Sequence, residues 1–300
     1  MNVRQLTCFV AVVEDGSFTR AARRIGIAQP SLSQHIRALE EELGGAVLER
    51  HPRGISLTPA GRSLLPEARA AVRAVERGRR AARAALALES GDLEIATVLS
   101  MAVGLLPRYI RRWHERHPNI GVRLQEFRHR TLLEQAVEQG IADFAIGPLP
   151  LRTWDGLLEP VSWEEFVIVA PPDDPLARRG AVSLEQLADR EWVLYHPDHG
   201  LAGILEEVCR RAGFSPRGTV RTSQAEGAAR LASAGIGPAL VPDNIVLPGI
   251  EGRVLHLDPP LIRDVAVYAR TTLSPSGAAF VEVLRSEGRP RPRGAETIHL

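Results

Sequence analysis

The sequence predicts an α/β protein in several parts: a small, mainly helical N-terminal unit, one long helix, and two α/β subdomains. Three observations carry this reading. Apolar residues recur at three- and four-residue spacing through the first 43 positions and then give way to two short strand runs. From Pro59 to about Leu88 the composition is rich in alanine and arginine and favours helix for nearly thirty residues. After Ser90-Gly91 the pattern changes to alternating strands and helices.

In the N-terminal unit, Leu6, Phe9, Val10 and Val13 form one stripe of a first helix that stops at Asp15-Gly16. Ser17 can cap a second helix, Phe18 to Ile25, with Ala21, Ala22 and Ile25 inward. A turn at Gly26-Ile27-Ala28 leads to a third helix whose greasy side is Leu32, Ile36, Leu39 and Leu43. Its other side carries Ser31, Ser33, Gln34 and Arg37, groups that can read base edges and phosphates in a DNA major groove; an ordinary solvated face is the alternative. Helix, tight turn and second helix follow in the order of a helix-turn-helix. The runs Val47 to Arg50 and Ile55 to Thr58, joined by His51-Pro52-Arg53-Gly54, then predict a β-hairpin wing that presses Arg50 and Arg53 toward flanking phosphates.

Along the long helix, Leu65, Ala68, Val72, Val75, Arg79, Ala82 and Leu86 alternate in steps of three and four, a narrow heptad seam. The alternatives are a helix pairing two subunits and a single solvated linker. Beyond it the predicted elements are strand Leu93 to Leu99, a helix reaching about His117, strand Val122 to Phe127, helix Thr131 to Gln139 closed by Gly140, and strand Asp143 to Gly147, a parallel α/β unit. A second unit has strand Phe166 to Ala170, strand Trp192 to Tyr195, a helix near Leu201 to Ala212, strand Gly218 to Thr222, helix Ala225 to Ala234 and strand Pro238 to Val241. Val265 to Ala269 returns to the first unit, followed by helix Ser276 to Arg285. Two crossings, near residues 161–165 and 266–269, leave a cleft between the units. The tail from Glu287, with its Arg-Pro-Arg-Pro-Arg run, reads as disordered.

The overall charge of +1 hides an asymmetry: residues 1–90 hold 14 arginines against 9 acids, residues 91–300 hold 23 against 27, and there is no lysine. A basic front and a slightly acidic remainder suit a DNA reader joined to something else. No apolar run reaches 18 residues and no secretory leader is evident, so a cytoplasmic protein with no membrane span is expected. Cys8 and Cys209 give no disulfide framework. There is no Gly-x-Ser-x-Gly elbow, Walker loop or His-Glu-x-x-His; the pairs His114/His117 and His196/His199 lack the neighbouring ligands of a metal site. An enzyme is not expected, nor is a cofactor or a metal.

Residues 1–62 closely resemble the winged helix-turn-helix of LysR-type transcriptional regulators, through Phe9, Gly16-Ser17-Phe18, Ala21-Ala22, Gln29-Pro30, Ser33, Ile36, Leu39-Glu40, Leu43-Gly44, Arg50, Arg53, Leu57-Thr58 and Ala60-Gly61. Two positions depart from the pattern. Ala28 stands where a serine or threonine is usual, which removes an N-cap and phosphate contact, and Leu48 replaces a phenylalanine. The resemblance continues more loosely through Leu106-Pro107, Gly140 with Ala142-Asp143, Asp174 to Ala177, Gly213-Phe214 with Pro216, and Ala234 to Gly237. It implies a domain order of 1–62 for DNA reading, 63–90 for a dimerising linker helix, and 91–286 for effector binding. That last region would form two Rossmann-like subdomains of the periplasmic-binding-protein type (91–162 with 267–286, and 163–266), with 287–300 as tail.

The resemblance implies DNA contacts by Gln29, Pro30, Ser31, Ser33, Gln34 and Arg37, with Arg50, Arg53 and Thr58 on the backbone of a partly palindromic promoter site. It further implies a homodimer or homotetramer, a small-molecule effector, and RNA polymerase as a possible further partner. Ligands of α/β sheets lie beyond the carboxyl ends of strands, so the expected effector residues are Ser100, Met101, Arg128, His129, Arg130, Thr131, Gly147, His196, Thr222 and Ser223. Two arginines bracketing a histidine suggest a small anion such as a carboxylate, and strand alternation predicts that either Arg128 and Arg130 or His129 face the cleft. The segment His199-Gly200-Leu201 through Cys209 resembles the redox region of the family's peroxide sensors, but Gly200 occupies the first cysteine position, so no disulfide switch is expected. Two other readings remain: an effector-independent DNA-organising protein, which uses only the front, and a solute-binding protein, which uses only residues 91–300.

Overall fold

The structure, a computed structural model, describes residues 1–51, 54–85, 92–178, 180–246, 249–286 and 290–299; for residues 50, 77, 80, 81, 83–85 and 177 only the backbone is described. Contacts divide the chain into two units, residues 1–86 and 87–300.

In the first unit, α1 (Val3–Asp15) opens with a capping box between Asn2 and Gln5 and ends at Gly16, whose φ of 59° is the left-handed cap that a residue with a Cβ adopts only under strain. Ser17 caps α2 (Phe18–Arg24) by accepting from the N–H of Arg20. α3 (Gln29–Leu43) starts at Ala28 with no side-chain cap, as its sequence requires. Leu32, Ile36 and Leu39 of α3 are buried with Phe9, Val12, Ala21 and Ala22, each large apolar side chain contributing roughly 1.5–3 kcal/mol. Leu43, expected in the same stripe, is 45% exposed, because the helix ends there at Gly44.

The wing is β1 (Leu48–His51) paired antiparallel with β2 (Gly54–Leu57). Glu40 ties it to α3, one carboxylate oxygen accepting from the N–H groups of Val47 at 3.0 Å and Leu48 at 3.3 Å. α4 (Pro59–Ala85) follows at once. A Cβ on Gly61 would lie 2.0 Å from the Val47 carbonyl oxygen, so glycine is what lets the hairpin lie against this helix. Part of the expected seam is already used within the subunit: Ala68 is buried in the first unit's core and Leu65 and Val72 pack against it. Among the described residues, Val75 and Ala82 remain as apolar seam positions and Arg79 pairs with Glu76; Leu86 lies outside them.

The second unit begins with β3 (Leu93–Val98), α5 (Leu99–Gly104), α6 (Leu106–Arg116), β4 (Val122–Phe127), α7 (Arg130–Glu138) and β5 (Phe144–Pro148). The single helix expected after β3 is broken at Leu105. There Gly104 packs so closely on Asn244 that a Cβ would come within 2.2 Å of its side-chain oxygen. Next come β6 (Leu157–Ala170), β7 (Ala181–Val182), β8 (Glu191–Tyr195), α8 (Gly200–Arg211), β9 (Arg217–Thr222), α9 (Ala225–Ser233), β10 (Ala239–Pro242), β11 (Arg253–Ala269), α10 (Pro275–Arg285) and β12 (Glu296–Thr297).

The main sheet has the order β10-β6-β11-β5-β3-β4, with β7 and β12 added to β11; β8 and β9 form a separate parallel pair. Parallel pairing holds for β3 with β4 and β5, but β6, β10 and β11 join antiparallel, so the architecture is mixed. β6 and β11, far longer than their expected lengths, run through both lobes. One core is built on β3, β5, α6 and α10, the other on β8, α8, α9 and β10. Leu261 belongs to the second core and Val265 to the first, so the second crossing lies a few residues earlier than the sequence suggests.

Of the tail expected to be disordered, residues 290–299 are ordered, with β12 paired to β11 and Ile298 buried in the second lobe's core, while residues 287–289 and 300 lie outside the described residues. No helix among the described residues is long and apolar enough to cross a membrane.

Candidate functional site: a helix face and an interlobe pocket

In the first unit α3 turns Gln29, Pro30, Gln34 and Arg37 outward, with Ser31 and Ser33 half-buried beside them. Gln29 donates from its amide to the Ser33 hydroxyl at 3.0 Å, one helical turn on. Arg37 has no ion pair or hydrogen bond among the described residues, which leaves five guanidinium N–H donors for an external acceptor. The side chain of Arg50 and all of Arg53 lie outside the described residues. Thr58, expected on the DNA backbone, is occupied inside the fold. Its hydroxyl donates to the Ala46 carbonyl at 2.8 Å and accepts from the Gly61 N–H at 3.0 Å, capping α4. The Thr-x-x-Gly spacing at a helix start was the signal for that role.

In the second unit a cavity of about 80 Å³ lies between the lobes, lined by Val98 at the end of β3, Leu99 and Ser100 at the start of α5, Arg128 to Arg130 after β4, Pro148 at the end of β5 and Leu151 beyond it, His199 to Leu201 at the start of α8, and Arg263 of β11. A space of that size holds several water molecules or a ligand of a few heavy atoms. Opposite walls meet where the Gly200 N–H donates to the Arg128 carbonyl at 2.9 Å. A Cβ at Gly200 would stand 3.2 Å from that oxygen.

All three residues Arg128, His129 and Arg130 line this pocket, so the expected choice between the arginines and the histidine does not arise. Alternation fails because the extended segment stops at His129 and Arg130 is already the first residue of α7. Ser100 is on the wall as expected. The other expected residues are not on it. Met101 is buried in the first lobe's core. Thr131 is exposed on α7. Gly147 faces Leu133 and Tyr268, where a Cβ would be 2.5 Å from the leucine. His196 is exposed 3.5 Å from Asp198, and Thr222 accepts from the Gln224 N–H at 3.3 Å with Ser223 exposed beside it. His196, Thr222 and Ser223 lie off this wall because the second lobe meets the pocket through α8 and β11, not through its parallel strand pair.

His199 and Arg263 were not anticipated. His199 is the N-cap of α8: its Nδ1 accepts from the Leu201 N–H at 3.1 Å, and its ring stacks on Tyr195 with centroids 4.9 Å apart. That bond leaves the proton on Nε2, a buried N–H with no hydrogen-bond partner among the described residues. Burial, then the nearby charges of Arg263, His129 and Arg128, lower the His199 pKa to about 4, so the ring is neutral. Arg263 is held by Glu164 through its Nε at 2.7 Å and its Nη2, while the other Glu164 oxygen accepts from Asn244 at 2.9 Å.

Arg130 donates from Nη1 to the Leu149 carbonyl at 2.7 Å, and its Nε, 3.9 Å from Glu134, is a second buried donor without a partner. Burial lowers the Arg130 pKa, with Arg263 adding to the effect and Glu134 opposing it. Three guanidinium groups thus border the pocket against the two carboxylates of Glu134 and Glu164, and two buried N–H groups have no hydrogen-bond acceptor among the described residues.

The model of the LysR substrate binding domain matches residues 87–289, and that of the bacterial regulatory helix-turn-helix protein, lysR family, matches residues 3–62. The RuBisCO operon transcriptional regulator of Allochromatium vinosum is 30% identical over 293 residues, 96% of either chain. The regulator BudR of Raoultella terrigena is 34% identical over 282 residues, 90% of this chain and 95% of its own. Among solved structures, a full-length variant of OxyR from Pseudomonas aeruginosa superposes with a TM-score of 0.72 at 25% identity, covering 95% of this chain and 94% of that one. With a helix-turn-helix and wing in one unit, a pocket between two lobes in the other, and family models spanning both, the chain belongs to the LysR family of bacterial transcriptional regulators.

Proposed function

We propose that this regulator reads DNA through Gln29, Pro30, Ser31, Ser33, Gln34 and Arg37, with Arg50 and Arg53 on flanking phosphates, and that its output is set by a small anion, such as a carboxylate, held between the lobes. In this reading it works in the cytoplasm, as a homodimer or homotetramer paired through α4, and performs no catalysis. The observation that carries the anion is the pair of buried donors without a hydrogen-bond partner among the described residues, His199 Nε2 from one lobe and Arg130 Nε from the other. A buried donor without an acceptor costs about 1–3 kcal/mol, which a ligand oxygen accepting from it would recover. Because His199 is neutral, the charge of the ligand is met by the guanidinium groups, with Arg128 free of any partner among the described residues.

The experiment is a thermal-shift series with acetate, propionate and matched neutral amides on wild type, Arg128→Ala, Arg130→Ala and His199→Asn. Stabilisation by the acids that the substitutions diminish is expected; stabilisation by the amides alone would remove the anion from the proposal. For DNA, Arg37→Ala should weaken specific footprints, and Arg53→Ala should lower affinity for all sequences and the salt slope by about one unit. A DNA-organising role is the second outcome of the same binding assay: it requires that excess random DNA displace the protein as readily as the promoter does.

A further inference from the structure

Strand β11 is paired on one edge by β6 from Arg253 to Ala269, apart from irregularities between His256 and Leu261 and between Val265 and Ala266. Its other edge is taken by β7 at His256 and Leu257 and by β5 from Val265 to Tyr268. The gap between those two partners is where the chain passes from one lobe to the other and where Arg263 enters the pocket. β12 fills it, pairing parallel as Glu296 with Leu261 and Thr297 with Ile262, and the Ile298 N–H donates to the Ile262 carbonyl at 2.9 Å. Arg291 makes an ion pair with Asp264, so the tail holds β11 on both sides of Arg263. α10 is rooted in the first lobe's core and Ile298, 1% exposed, in the second lobe's core. The tail is therefore a third covalent path between the lobes.

We propose that residues 290–299 are a positioning strap for the effector pocket, fixing the Arg263 backbone and with it the lobe spacing to which the effector responds. This rests on the assignment of the pocket to the effector. An uncovered strand edge exposes N–H and carbonyl groups that water or another strand will take, and it frays. Glu164 grips the Arg263 side chain from β6. On the opposite edge, next to the crossing, the tail supplies the pairing. Arg291, Thr297 and Ile298 touch no part of the pocket; they act through Arg263.

The neighbouring His199 reports on this placement without any ligand. Its neutral state depends on burial, then on Arg263, His129 and Arg128, and its ring faces Tyr195 and the start of α8. The test follows the His199 ring by NMR titration in the full-length protein, with His199→Asn to assign the signal, in wild type, a chain ending at Pro290, Ile298→Asp, Arg291→Ala and Arg291→Lys. The shortened chain and Ile298→Asp should titrate about one pH unit higher than wild type as Arg263 withdraws and water enters. Arg291→Ala should move the same way by less, and Arg291→Lys should stay at the wild-type value. A folded chain ending at Pro290 with wild-type titration overturns the strap. If that chain does not fold, Arg291→Ala, which keeps β12, decides, and an unmoved His199 there overturns it equally. The titration needs no anion, so a failure of acetate to bind would sink the anion reading and leave this result to stand or fall alone.

Discussion

Replacing His199 by asparagine should flatten the acid limb of the second unit's stability. The folded protein holds this imidazole neutral down to about pH 4, against an ordinary value of 6.5. Between those values the unfolded chain binds a proton that the folded chain refuses, so stability rises with pH there. His199's contribution is complete above pH 6.5 and lost by pH 4, amounting to about 3 kcal/mol for a shift of that size. For a unit of roughly two hundred residues this is about 6–12 °C in Tm.

Asparagine keeps the cap, because its side-chain oxygen can accept from the Leu201 N–H, and removes the titration. The four tryptophans, Trp113, Trp154, Trp163 and Trp192, all lie in the second unit, so their fluorescence follows its unfolding in the intact protein. Urea curves at pH 7 and pH 4.5 should show wild type losing more stability on acidification than His199→Asn by most of that 3 kcal/mol. Equal losses in the two proteins would falsify the claim that the His199 ring is buried neutral. Changes from buried carboxylates are common to both and cancel in the difference.

Four other substitutions or treatments test the rest of the structure. Gly61→Ala should destabilise the first unit by about 1–3 kcal/mol, since its methyl has nowhere to go but into the Val47 carbonyl; circular dichroism melting would detect it. Val75→Glu should weaken self-association and DNA affinity together while leaving the monomer folded, whereas Val72→Glu should also damage the N-terminal core that Val72 packs against; sedimentation with circular dichroism separates the two. Peroxide should produce no intrachain Cys8 to Cys209 bridge in peptide mass spectra, because both thiols are buried and burial pushes Cys209 up to about 12, far from a reactive thiolate; such a bridge together with altered DNA binding would refute this.

The N-terminal unit is legible in the sequence because its determinants are local. Gly16 and Ser17 punctuate, Leu32, Ile36 and Leu39 repeat at helical spacing, and the hairpin is short. Thr58 is less legible for a related reason: a hydroxyl beside arginines suits a phosphate, and it is the fold that brings the Ala46 carbonyl to it. The full lengths of β6 and β11 are hidden because their outer halves are interrupted by charges and prolines, Pro160 and Pro259 among them. Arg128 to Arg130 stand together in sequence and could be noticed. Arg263 gains its meaning from Glu164, 99 residues away, and His199 from a cap that leaves its other nitrogen unpaired. The tail deceived through composition. Five residues of alternating arginine and proline resemble a solvated chain, and the anchor, Ile298, is a single apolar side chain near the end.

The two long strands also fix an order of assembly during synthesis. Apart from Ile298, the core of the second lobe draws on residues between Phe166 and Leu261, whereas the first lobe's core joins Leu93 through Ile146 to Val265 through Leu284. A chain emerging from the ribosome therefore carries the first lobe's strands β3, β4 and β5 unfinished, their sheet lacking β11 and their helices lacking α10, until the second lobe has been made in full. The lobe encoded in the middle closes first, and the one begun earlier must wait with an open strand edge. Such an edge is a site for wrong pairing, so conditions that slow elongation between residues 145 and 265 should raise aggregation of nascent chains more than the same delay inside the N-terminal unit, whose contacts are close in sequence.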